Sequence, residues 1–127
     1  MNRDEVNSFI QLYAQIEALY TEVSLLSKKN PIDVINKFKL RYINKTLEKA
    51  NNILKDERKP FSDAAFFEED NLPSNSDVTM ILSQYLSCME ELHSANIEEG
   101  MRNEWFWLVN GEISSIRTSP PRKLRRQ

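Results

Sequence analysis

The sequence predicts an all-α fold, a small bundle of three long helices with a short fourth. Three observations carry this expectation. Apolar residues recur at alternating spacings of three and four along three long stretches. Only two glycines and five prolines punctuate 127 residues, too few for a turn-rich β protein. Hydrophobic residues make up 40% and charged ones 28%, the balance of a globular domain that buries its own core without disulfide or metal staples. Residues 1–117 are accordingly read as one helical-bundle domain with a long connection at 59–75. Residues 118–127 are read as a disordered basic tail.

In the first helix Val6, Phe9, Tyr13, Ile16, Tyr20 and Val23 make the stripe, and Ile10, Leu19 and Leu26 widen it. It starts near Asp4 and ends before Asn30 and Pro31, because a residue ahead of proline is pushed out of the α region. A second helix is expected to open there, with Asn30 as N-cap, Pro31 in the first helical position and Asp33 in the first turn. Its core face carries Ile32, Leu40, Ile43, Leu47, Ala50, Ile53 and Leu54. Lys37, Arg41, Lys45 and Lys49 fall opposite, each four residues from the last, with Phe38 among them and Tyr42 at their edge.

Pro60 ends this pattern, and the connection at 59–75 mixes Phe61, Phe66, Phe67 and Leu72 with acidic residues. Those apolar groups either fold over an end of the bundle, out of water, which is the preferred reading, or form an anchor for a partner. Ser76 and Asp77 start the third helix, whose stripe of Val78, Ile81, Leu82, Tyr85, Leu86, Met89 and Leu92 runs to about Ile97. The last segment has two readings. A fourth helix packs Trp105, Leu108 and Val109 and is capped by Gly111; alternatively, Asn110 and Gly111 turn a β-hairpin at 105–116. The helix is preferred, because a lone hairpin is marginal in water and no further strand is recognisable.

Charge is segregated along the chain. Residues 1–27 carry one base and four acids, residues 28–59 ten bases and four acids, residues 60–112 one base and eleven acids, and residues 113–127 five bases and no acid. The overall charge of −2 conceals this layout, which steers oppositely charged partners and says nothing about fold. The N-terminal residues have acids by position 4 and no apolar core ahead of a small-residue cleavage site, and the one cysteine, Cys88, suits a reducing compartment. The expected location is the cytoplasm. No apolar run approaches the roughly 20 residues of a membrane span, so no membrane partner is expected.

Catalytic and cofactor chemistry finds little to stand on. His93 is the one histidine, and Glu90 one turn earlier gives a Glu-x-x-His pair of the kind bundle metal sites use, but the second such pair cannot exist. Cys88 is poorly aligned with His93 for nucleophilic work, and Gly100 and Gly111 cannot form a phosphate loop. No catalytic residue, metal ligand or cofactor is expected. The reading that remains is a non-enzymatic protein–protein interaction module: an adaptor, assembly factor, inhibitor or regulatory subunit. Its partner-binding candidates are Phe66, Phe67, Trp105, Phe106 and Trp107, since three consecutive aromatics cannot all face one core on a helix. The partner is a protein, with a homodimer one form of it. The alternative is a nucleic-acid-associated protein using the basic face, Lys37, Phe38, Arg41, Tyr42, Lys45 and Lys49, together with the tail residues Arg122, Lys123, Arg125 and Arg126.

Overall fold

The computed structural model describes residues 1–61 and 67–122. Three helices, α1 (Arg3–Lys29), α2 (Lys37–Arg58) and α3 (Asn75–Ala95), are followed by strands β1 (Ile97–Glu99), β2 (Trp105–Val109) and β3 (Glu112–Thr118). The strands form an antiparallel sheet in the order β1-β2-β3. The fold is therefore α+β, and the all-α bundle with a helical fourth segment is overturned.

The helix ends follow local chemistry. Asn2 and Glu5 close a capping box on α1, each side chain accepting the other's backbone N–H, at 2.8 and 3.0 Å. The second helix begins six residues later than expected, because Asn36 and not Asn30 is the N-cap, its side chain accepting the Lys39 N–H at 2.8 Å. Residues 31–36 run instead alongside residues 73–76: the Ile35 N–H donates to the Pro73 carbonyl at 3.0 Å and the Asn75 N–H to the Asp33 carbonyl at 2.8 Å. Ile32, expected in the core, is consequently 86% exposed, and Ile35 is buried in its place. The third helix starts slightly earlier than expected, capped by Ser74, and stops at Ala95.

Ile97, expected to close α3, opens β1 instead and pairs with Trp107. That three-residue strand removes the objection to the hairpin, since β2 now has a neighbour on each side. Asn110 at φ 53° and Gly111 at φ 81° both take the left-handed conformation a two-residue hairpin turn demands. Between Phe106 and Leu108 the β2–β3 register shifts. There the Ser114 hydroxyl donates to the Trp107 carbonyl at 2.6 Å and accepts the Ile116 N–H at 3.1 Å, supplying partners the ladder lacks.

The core is one cluster shared by the helices and the sheet. Val6, Phe9, Leu12 and Ile16 of α1 meet Val78, Leu82, Tyr85 and Met89 of α3, and Leu40, Ile43, Leu47 and Leu54 of α2 complete the apolar interior. Trp107 brings the sheet into it, with its ring centre 5.0 Å from that of Phe9. Phe61, Phe67 and Leu72 pack against this core from the long connection, whereas Phe66 lies outside the described residues.

Candidate functional site

At about 100° per residue, the outward surface of α2 has two flanks. Lys37, Phe38, Arg41, Tyr42, Lys45 and Lys49 are all exposed, and Phe38 and Tyr42 keep 77% and 55% of their surface in water. On the flank bearing Arg41 and Asn44 the chain returns as a short strap at residues 67–70. The Asn44 side-chain amide donates to the Phe67 carbonyl at 2.9 Å and accepts the Phe67 N–H at 3.2 Å. Arg41 pairs with Glu69, and the hydrogen bond from Arg41 holds the Glu69 carboxyl below its ordinary range, with Lys37 adding to the effect. The other flank, with Phe38 and Tyr42, is uncovered by the described residues. Ile32 and Val34, just ahead of α2, add two more exposed apolar side chains.

The consecutive aromatics sit differently from their expected role. Trp107 is buried, and Trp105 and Phe106 are half-buried. A strand with a shifted register distributes the three rings around the sheet, so the helical argument that one of them must be exposed does not apply. Phe106 lies over Gly100, where a Cβ would come within 2.8 Å of its ring. Phe67 is half-buried, with its backbone engaged by Asn44. Phe67, Trp105 and Phe106 each keep part of their surface in water, and Trp107 keeps almost none.

A second cluster joins residues far apart in sequence. Thr118, Ser119 and Arg122 close over a cleft of about 210 Å³ whose walls include Phe9, Tyr13 and Trp107. The Arg122 N–H donates to Glu90 Oε1 at 2.9 Å, and its guanidinium donates to Glu17 Oε2 at 2.8 Å while lying 5.6 Å from the Tyr13 ring centre. Pro121 is buried, so the segment expected to be disordered from residue 118 begins docked against α1 and α3. Lys123, Arg125 and Arg126 lie outside the described residues.

His93 forms the floor of this cleft, 5% exposed, between the rings of Phe9 and Trp107. Its Nε2 is 2.7 Å from the Thr118 hydroxyl and its Nδ1 is 3.4 Å from Glu90 Oε1. An ionised carboxylate only accepts, so Nδ1 of a neutral ring carries the proton and Nε2 accepts from Thr118. Glu90 also accepts from the Tyr13 hydroxyl at 3.4 Å. Burial, opposed by the positive charge of Arg122 and reinforced by Glu90 and Glu17, pushes the Tyr13 phenol up to about 12.

Glu90 and His93 are one helical turn apart and legible as a pair, but nothing in the spacing of residues announces Arg122 as their partner. The arrangement ties three elements together. Its acid, imidazole and phenol are turned on one another, and no group of three metal-ligating side chains capable of sharing an ion occurs among the described residues. No helix of the described residues is long and apolar enough to cross a membrane. Comparison with protein-family models, with curated proteins and with solved structures finds no match to the chain.

Proposed function

We propose that the protein is a non-enzymatic interaction module that engages a partner protein through the outward face of α2. The observation that supports this reading is the pair Phe38 and Tyr42, one turn apart and more than half exposed, set among Lys37, Arg41, Lys45 and Lys49. Large aromatic surface left in water gains by burial, and rings of this kind concentrate binding energy in interfaces. The surrounding cations favour an acidic partner and speed encounter with it. Phe38 and Tyr42 keep more of their surface in water than Trp105, Phe106 and Trp107, which supports assigning the binding role to α2.

A photo-crosslinking amino acid in place of Phe38, in cells of the host, tests this directly. Capture of one defined protein is the expected outcome, lost on Tyr42→Ser and retained on Met101→Ser, a control at a still more exposed apolar residue far along the chain. A crosslinked product of twice the chain mass assigns the partner as a second copy. Capture indifferent to Tyr42→Ser defeats the proposal.

The same cations and rings match what single-stranded nucleic acid uses, which supports that alternative. Titration with RNA and DNA at low and high salt separates the two. Binding that falls steeply with salt and disappears in Lys45→Glu favours nucleic acid, and the expected result is no binding.

A further inference from the structure

The way residues 67–70 lie on α2 shows what chemistry this face accepts. An aromatic residue, Phe67, presents its backbone N–H and carbonyl to one side-chain amide, Asn44, which is the two-point reading by which an extended peptide is held irrespective of its side chains. Two residues further on, Glu69 meets Arg41 from within a turn at 68–71 that the Asn71 N–H closes by donating to the Glu68 carbonyl at 3.3 Å. Of the four ladder cations, only Arg41 has an ion-pair partner among the described residues. Lys45 and Lys49 remain beside the uncovered rings of Phe38 and Tyr42. The strap therefore occupies one flank of a surface whose other flank repeats the same offer of cations and apolar area.

We infer that the α2 face takes an acidic peptide carrying an aromatic residue, held as residues 67–70 of the chain itself are held, and that this strap competes with it. The inference rests on the proposed function and specifies its ligand. Charge complementarity chooses the occupant: the ladder is cationic, and the segment already seated on it is an aromatic residue followed by Glu68, Glu69 and Asp70. A partner peptide reaching Asn44 and Arg41 must displace the strap, so its apparent affinity is lowered by the fraction of chains in which the strap is seated. The strap is held by an exposed ion pair, by the Asn44 clamp and by the half-buried Phe67 ring packed against the core, and weakening the ion pair shifts the seated-to-open ratio by up to about fivefold.

The test is fluorescence anisotropy with a fluorescein-labelled peptide of the sequence of residues 65–71, titrated at low salt with the full chain. Glu69→Gln in the protein is expected to tighten binding about fivefold over wild type, and Arg41→Glu added to it to weaken binding by on the order of tenfold. A peptide with glutamine for each glutamate is expected to bind at least as weakly as the native peptide does to that double variant. Circular dichroism on each variant establishes that the fold is retained. Absence of peptide binding in wild type and Glu69→Gln, binding indifferent to Arg41→Glu, or binding of a labelled oligothymidylate in place of the peptide overturns the inference. If the peptide fails while crosslinking from position 38 still captures a partner in a Tyr42-dependent way, the ligand class falls and the interaction module stands; if both fail, both fall.

Discussion

Two arginine–glutamate ties each hold a returning segment against a helix, and they differ in what else surrounds the carboxylates. Arg41 meets Glu69 on the open side of α2, with side chains 65% and 40% exposed. Arg122 meets Glu17 above an aromatic cleft with side chains 44% and 43% exposed, and lies 3.9 Å from Glu90, whose side chain is only 15% exposed. Water and salt screen the first pair, leaving little net attraction after the entropy of ordering two long side chains. At the second site Glu90 receives the Tyr13 hydroxyl and the Arg122 backbone N–H as well, so its carboxylate is satisfied on several sides. The same pair of residue types thus makes a water-exposed tie in one place and, in the other, part of a wider hydrogen-bonded cluster, a clasp.

The largest expected effect attacks the clasp through its wall. Trp107→Ala is expected to cost about 3 to 5 kcal/mol, the usual range for a buried large aromatic, because it strips the ring from both Phe9 and His93. Equilibrium unfolding in urea measures it, and a loss under about 1 kcal/mol would detach the sheet from the core. Glu90→Ala comes next, at about 2 kcal/mol, since it orphans the Tyr13 hydroxyl and the Arg122 N–H together. Arg122→Ala should cost less, about 1 kcal/mol, because its side chain is 44% exposed and its pairing is partly screened.

A pH limb sharpens the same comparison. The Tyr13 phenol is raised to about 12, above its ordinary value near 10, so it remains protonated in the folded chain where the unfolded chain has begun to lose that proton. Its contribution is therefore fully present below pH ~10 and is lost as pH rises towards 12. Allowing for the screening of a group only half enclosed, the loss should be about 1 kcal/mol. Comparing wild type with Tyr13→Phe isolates it from lysine titration in the same range, and parallel profiles would contradict the buried phenol. The smallest effect lies at the strap: Glu69→Gln should lower the melting temperature by no more than a few degrees, whereas a drop as large as that of Glu90→Ala would make the strap as structural as the clasp.

The helices were legible because each exposes one face and buries another, so their period is written in side chains at close spacing. Leu40, Ile43, Leu47 and Leu54 of α2 and Val78, Leu82, Tyr85 and Met89 of α3 fell where the 3.6 period put them, and the cationic ladder faces outward as its spacing required. The start of α2 is not fixed locally, because Asn30 with Pro31 and Asn36 are both competent openings, and the pairing of residues 31–36 with 73–76, invisible to a local window, decides between them. The sheet was missed for a related reason. A three-residue strand such as Ile97–Glu99 has no period to detect, and its stability comes from β2, not from its own composition. Asn110 and Gly111 signalled the turn correctly, but the objection that no other strand existed outweighed them. Arg122 could not be assigned to Glu17 from spacing at all, because 105 residues separate them.

That separation also orders events during synthesis. At the usual elongation rate of about 5 to 20 residues per second, the segment that completes the seat of α1 follows Glu17 by roughly 5 to 20 s. Until Trp107 and Arg122 emerge, Phe9 and Tyr13 lack the indole and guanidinium that cover them in the finished fold. The nascent chain accordingly presents the amphipathic α1 to its surroundings before its sheet exists, and a ribosome-associated chaperone would find a binding surface there.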